Sequence, residues 1–186
     1  MDYNKHWFMG FARKADYLRK QDILVNLEGF IEKEKTVLDV GCGNTVLSKE
    51  TADKFKLKVS GVDLIEPVKQ LIDFKLFNGR RIPFKDNSFD SVLLFDVLHH
   101  IRNEKEKQEL LKECFRVSRN SIIIKDHYYS NFLQKQYLKA MDFTTNFLHK
   151  VKTPFNFISK QEWLEMKPQK LKFWKFKRIP QVMVKK

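Results

Sequence analysis

Cysteine is scarce. Cys42 and Cys114 are the only two in 186 residues, too few for a disulfide framework or a cysteine-rich metal site. Long apolar runs are missing too: no stretch approaches the length that crosses a bilayer, and Met1-Asp2-Tyr3-Asn4-Lys5 lacks the apolar core of a secretory signal. A soluble, cytoplasmic protein is therefore expected. Repeats and low-complexity linkers are absent, so one domain over 1–186 is expected. Acid is in deficit, with 23 Asp and Glu against 36 Lys and Arg for a net charge of +13. What is present, 42% hydrophobic and 13% aromatic residues, can fill the core of one packed globule.

Helical and extended patterns alternate along the chain. Phe11 to Ile31 carries Tyr17, Leu18, Leu24, Leu27 and Phe30 at helical spacing. The short apolar runs Thr36 to Val40, Val59 to Asp63, Ser91 to Phe95 and Ser121 to Lys125 predict strands, with helices after Asn44 and over Asn103 to Val117. Apolar strands alternating with helices imply an α/β fold whose mostly parallel sheet is covered on both faces. Right-handed crossovers then gather the strand C-termini on one edge, where ligands bind.

The most informative segment is Val37-Leu38-Asp39-Val40-Gly41-Cys42-Gly43-Asn44. A buried strand ends in an acid and turns through two glycines toward a helix, as in nucleotide-binding α/β units. Gly61-Val62-Asp63 follows, and Asp63 lies twenty residues beyond Gly43, the distance at which a second strand offers a carboxylate to ribose hydroxyls. A dinucleotide site would carry a third glycine, whereas Thr45 and Val46 stand here. Asp39 would also repel a diphosphate but suits an ammonium or sulfonium group. The ligand is expected to be cationic at that end.

Asp39-Val40-Gly41-Cys42-Gly43, Asp63 and Arg81-Ile82-Pro83-Phe84-Lys85-Asp86-Asn87-Ser88-Phe89-Asp90 together resemble the signature stretches of class I S-adenosylmethionine-dependent methyltransferases of the type 11 family. The resemblance runs from about Val37 to Ser130, with a looser echo to Trp163. It implies a Rossmann-like fold with a seven-stranded sheet and S-adenosylmethionine as cofactor, leaving S-adenosylhomocysteine as product. It also implies that Asp39, Gly41, Cys42 and Gly43 face the methionyl part and Asp63 the ribose. Leu64, Asn78, Gly79, Phe95 and Asp96 complete the implied cofactor shell, with the Asn78 carbonyl oxygen near the adenine amino group. The chain divides accordingly into a helical cap (1–35), a cofactor-binding core (36–130), a substrate lid (131–165) and final basic strands (166–186).

Asp96, His99, His100, Asp126, His127, Tyr128 and Tyr129 follow the fourth and fifth predicted strands and should meet at the ligand edge. Methyl transfer is an in-line displacement that needs an aligned acceptor and, for a hydroxyl or protonated amine, a base. His127 with Asp126 beside it is the expected base, and His100 the second candidate. Metal ligation is not expected, because His99 and His100 are adjacent rather than one helical turn apart and no cysteine is near. The lid, from Phe132 and Leu133 through Asp142 and Asn146 to Ser159 and Trp163, with Tyr3, Trp7, Phe8 and Phe11 on the other side, should form an apolar pocket. A small or lipid-like acceptor methylated on O or N is therefore the first expectation.

The last twenty residues carry eight Lys and Arg and no acid, interleaved with Phe173, Trp174 and Phe176. Such a pattern can hold nucleic acid, approach an anionic membrane, or form the solvated face of two antiparallel strands. Lysine dominance favours the solvated face. The Asn/Asp-Pro-Pro-Tyr/Phe loop of amino-group base methylation is missing, since Phe95-Asp96-Val97-Leu98 stands there, and neither cysteine is placed to attack cytosine. An RNA or DNA methyltransferase is thus the alternative, and a noncatalytic cofactor-binding partner a third reading.

Overall fold

Val37 to Val40 is apolar on both sides of the backbone apart from Asp39, and it becomes a central strand. The computed structural model describes residues 3–31, 33–147, 155–166, 170–176 and 179–185, without the side chains of 3–13, 15 and 144–147. Its strands are β1 (Thr36–Val40), β2 (Lys58–Asp63), β3 (Asp73–Leu76), β4 (Phe89–Phe95), β5 (Ser118–Tyr129), β6 (Ile158–Ser159), β7 (Lys170–Phe176) and β8 (Ile179–Lys185). The helices are α1 (Tyr3–Leu27), α2 (Val46–Phe55), α3 (Glu104–Val117), α4 (Phe132–Phe147) and α5 (Lys160–Glu165). Seven strands lie in the order β3-β2-β1-β4-β5-β8-β7. The first five are parallel, and β8 runs antiparallel between β5 and β7. The mostly parallel seven-stranded sheet is as expected, with the two-residue β6 added beside the end of β5.

Alternate residues of the same strands supply two separate cores. Val37, Leu93 and Ile123 pack against Ile23 and Leu27 of α1 and Leu47 and Phe55 of α2. Leu38, Val92, Leu94, Ile122 and Ile124 pack on the other face against Leu110, Cys114 and Val117 of α3 and against Trp163 of α5. Helix boundaries follow local chemistry. The Asn103 side chain accepts from the Glu106 amide at 2.8 Å and caps α3, and Ser159 with Glu162 forms a capping box that starts α5.

Three expectations needed correction. Strand β3 went unpredicted because its four residues are mostly exposed at the sheet edge and carry no buried run to read. Strand β5 continues through Asp126 to Tyr129, which were expected beyond its end, because Asp126 and His127 pair with Val182 and Gln181 of β8. Ser159 and Trp163 serve the fold rather than a lid: Ser159 is a cap, and Trp163 is fully buried in the α3-side core. Asn146, Tyr3, Trp7, Phe8 and Phe11 have side chains outside the described residues.

Candidate cofactor and acceptor site

The turn after β1 is held by backbone. The Gly41 amide donates to Val62 O at 2.8 Å with Gly41 at φ +80°, and a Cβ there would meet Val97 Cγ2 at 2.6 Å, so only glycine fits. The Gly43 amide donates to Asp63 Oδ2 at 2.7 Å, and nothing lies within 4 Å of where its Cβ would stand. Thr45, in place of a third glycine, also takes a left-handed conformation at φ 61°. Its hydroxyl donates to Lys69 O at 3.1 Å and accepts from the Leu71 amide at 3.1 Å. Threonine thus ties the chain between β2 and β3 to the start of α2, which offsets the strain of a β-branched residue there.

Asp39 lies beneath this turn, 2% exposed. Its Oδ2 accepts from the Ser48 hydroxyl at 2.6 Å, while Oδ1 is buried with no hydrogen-bond partner. Burial pushes its pKa up to about 6, with Asp63 adding repulsion and Ser48 only partly opposing. An underpaired buried carboxylate beside an open glycine turn fits a cationic ligand group. Asp63 also accepts from the Ile65 amide at 3.3 Å through Oδ1, which fixes its carboxylate at the rim. Leu64, 64% exposed, lies against Gly79, whose Cβ position would be 3.4 Å from Leu64 Cδ2. The segments that follow β2 and β3 therefore meet at this contact. The Asn78 carbonyl oxygen, expected to face an amino group, instead accepts from the Arg80 and Arg81 amides at 3.0 and 3.1 Å. Cys42 is buried below the turn with its thiol pushed up to about 12 by burial and by Asp39 and Asp63, which makes it inert. Phe95, expected in the cofactor shell, packs in the α1-side core.

The ends of β4 and β5 gather charge instead. Asp96, at φ 58°, accepts from Lys125 Nζ at 2.6 and 2.8 Å and from Arg19 Nη1 at 2.7 Å. Burial opposes ionisation of Asp96, but Lys125, His127 and Arg19 overcome it and hold the carboxyl far below its usual range. Lys125 is 1% exposed, and its burial lowers its own pKa against the pull of Asp96. Neither Lys125 nor Arg19 was read from sequence as part of the site. A lysine continuing the apolar run Ile122–Ile124 was the available signal, since a buried ammonium requires a counterion.

Asp126 serves a different histidine from the one expected. Its Oδ1 lies 2.5 Å from His99 Nδ1 and accepts from the His127 amide at 2.7 Å, while Oδ2 accepts from the His99 amide at 3.3 Å. Burial opposes protonation of His99, yet Asp126, Asp96 and Asp142 raise its pKa above the ordinary value. The His127 ring takes a hydrogen bond from Gln181 Nε2 at Nδ1, 2.9 Å away, with Nε2 3.5 Å from Asp96 Oδ1. Burial and the Lys125 charge push His127 down to about 4, and burial with His99 does the same to His100. His99 stacks on Phe157 at 5.1 Å. Asp96, His99, His100, Asp126 and His127 are thus brought together. Tyr128 turns away into the core against Phe173 at 4.8 Å, and Tyr129 carries Lys135 over its ring.

The described aromatic residues Phe173 and Trp174 of the tail are engaged by the fold. Phe173 packs on the α3-side core, and the Trp174 indole donates to Asp22 Oδ2 at 2.7 Å. Lys170, Lys172 and Lys175 are exposed, whereas Lys185 is buried and bonds Phe30 O and Glu34. Among the described residues no helix is long and apolar enough to cross a membrane.

An open Rossmann-like sheet with a glycine turn, a rim carboxylate and an acid beneath the turn is a fold this chain shares with solved S-adenosylmethionine-dependent methyltransferases. Residues 38–123 match the family described as methyltransferase domain. It is 23% identical over 100 residues to norajmaline N-methyltransferase of Rauvolfia serpentina, covering 47% of this chain and 33% of that one. It is 28% identical over 80 residues to tRNA (carboxymethyluridine(34)-5-O)-methyltransferase of Schizosaccharomyces pombe, covering 42% and 35%. The matched stretch spans about a third of each curated relative. A solved S-adenosylmethionine-dependent methyltransferase of Methanosarcina mazei shares the fold at TM-score 0.65 and 19% identity, over 86% of this chain and 94% of that one.

Proposed function

We propose that the chain acts as one methyltransferase domain that uses S-adenosylmethionine to methylate O or N of a small or lipid-like acceptor. The observation that carries this reading is Asp39 Oδ1, buried without a partner below an open glycine turn and a rim carboxylate. When bound, S-adenosylmethionine supplies an electrophilic methyl group on a sulfonium. Asp39 and the Gly41–Gly43 backbone hold its cationic methionyl end, Asp63 its ribose hydroxyls, and Leu64 with Gly79 its base. Asp96, fixed by Lys125 and Arg19, closes the floor of the site.

On the acceptor side His127 is neutral above about pH 4 and offers the ring that receives a proton, with His100 second. Asp126 holds His99 and the His127 backbone, so its contribution is positional. An RNA acceptor is a second reading, favoured by the net charge of +13 and by the likeness to a tRNA methyltransferase, although Phe173 and Trp174 are engaged within the fold. Labelled methyl transfer to small hydroxyl and amine acceptors and to RNA, at two ionic strengths, tests both. His127→Ala should lower turnover at least tenfold with cofactor affinity unchanged. Unchanged turnover removes His127 from the chemistry, and labelling of RNA alone, falling steeply with salt, replaces the first reading with the second.

A further inference from the structure

We infer that His99, His100 and Asp142 form a binding site for a divalent transition-metal ion beside the acceptor side of the sheet. Sequence spacing gave no such signal, because the third donor comes from α4 rather than from the histidine turn. The structure brings one donor atom from each of the three to within 4.8 Å of the others, with His99 Nε2 3.9 Å from Asp142 Oδ1. An ion bound at about 2.0–2.2 Å to nitrogen and oxygen holds tetrahedral donors roughly 3.4 Å apart, so donor separations need to contract by at most about 1.4 Å to close the set.

The orientation of His99 is already that of a metal ligand. Asp126 engages its Nδ1 at 2.5 Å, leaving Nε2 toward Asp142; a ligating imidazole is ordinarily fixed this way by a carboxylate on its other nitrogen. The ring plane is further set by stacking on Phe157, with the planes 20° apart. The turn holding both histidines is fastened from outside: the Asn156 amide donates to His99 O, and its side chain donates to Ile101 O. His100 Nδ1 is buried with no hydrogen-bond partner. His99 and Asp142 are 3% and 5% exposed, so neither is a casual surface group. The neighbouring combination of Asp96, His99 and Asp126 is a poorer site, because Lys125 and Arg19 already occupy Asp96 and His99 itself occupies Asp126.

Two imidazoles and one carboxylate suit Zn²⁺, Co²⁺ or Fe²⁺ better than Mg²⁺ or Ca²⁺. Three protein ligands leave coordination positions open, as in catalytic rather than structural centres. An oxygen of the acceptor would fill one of them; that part of the inference rests on the methyltransferase reading, whereas ion binding does not.

The test uses the full untagged chain, stripped with chelator and titrated with Co²⁺ in the absence of cofactor, read by visible absorption and calorimetry. One Co²⁺ per chain with the intense bands of a four- or five-coordinate site is expected, and His100→Gln and Asp142→Asn should each weaken binding at least tenfold while leaving thermal unfolding of the metal-free protein close to wild type. No bands, or binding that survives both substitutions, overturns the site. Because S-adenosylmethionine titration of the metal-free chain is a separate readout, loss of the metal site leaves the cofactor reading standing, and the reverse.

Discussion

Gly41 to Asp63 and Asp96 to His127 sit at the same sheet edge but are built differently. The first region relies on backbone: two glycines and Thr45 at positive φ, amides aimed at Val62 O and Asp63, and one underpaired acid. The second relies on buried side-chain charge drawn from α1, β4, β5 and α4, with Lys125 and Asp126 each nearly inaccessible. The first is arranged to receive a ligand's charge, whereas the second already satisfies most of its own. Stability should therefore be concentrated in the second region and cofactor affinity in the first.

Breaking the ionic cluster should give the largest effect. Asp96→Ala leaves the Lys125 ammonium buried without its counterion and should cost about 3–5 kcal/mol in denaturant unfolding. Adding Lys125→Met should recover more than half of that loss; a double variant no better than the single one would show that the pair is not the source of the cost. Next comes the turn. Gly41→Ala forces an unfavourable φ and a clash with Val97, and should lower stability by about 1–3 kcal/mol while abolishing detectable cofactor binding. The same change at Gly43, where there is open space, should cost less in stability.

The smallest predicted effect is a pH dependence. Because the Asp39 pKa is raised to about 6, the folded state takes up a proton that the unfolded chain at that pH does not hold. Its contribution to stability is therefore fully present below about 3.8 and is lost as pH rises through 6. Affinity for a cationic ligand should move the opposite way, flat above pH 6 and falling by up to about tenfold per unit below it. Asp39→Asn should flatten the profile, and a wild-type affinity indifferent to pH between 5 and 7 would separate Asp39 from the ligand.

The same contrast explains what could be read from the chain. The glycine turn and Asp63 were legible because their residues lie close in sequence and the chemistry belongs to backbone and one carboxylate. Strands β1, β2 and β4 were legible because residues buried on both faces leave short unbroken apolar runs. Arg19 and the His99–Asp126 pairing were not, and Asp142 was read only as a lid residue, because their meaning depends on which segments pack together, and no local pattern records that α1 reaches Asp96 or that α4 reaches His99. Lys125 lay between the two cases, a charge continuing an apolar strand, visible but unread. The bonds from the Arg80 and Arg81 amides to Asn78 were unread for a related reason: they belong to a turn whose conformation the motif does not specify.

The central claim is that the turn after β1 and the end of β2 bind S-adenosylmethionine. The most direct test is calorimetric titration of the full chain with S-adenosylmethionine and S-adenosylhomocysteine, beside Asp63→Ala. Saturable one-to-one binding is predicted for the wild type, weaker by about 1–3 kcal/mol in the variant as its charge-assisted hydrogen bonds are lost, with the unfolding midpoint lowered only modestly by loss of the bonds from the Gly43 and Ile65 amides. No binding by the wild type, or full affinity in the variant, would contradict it.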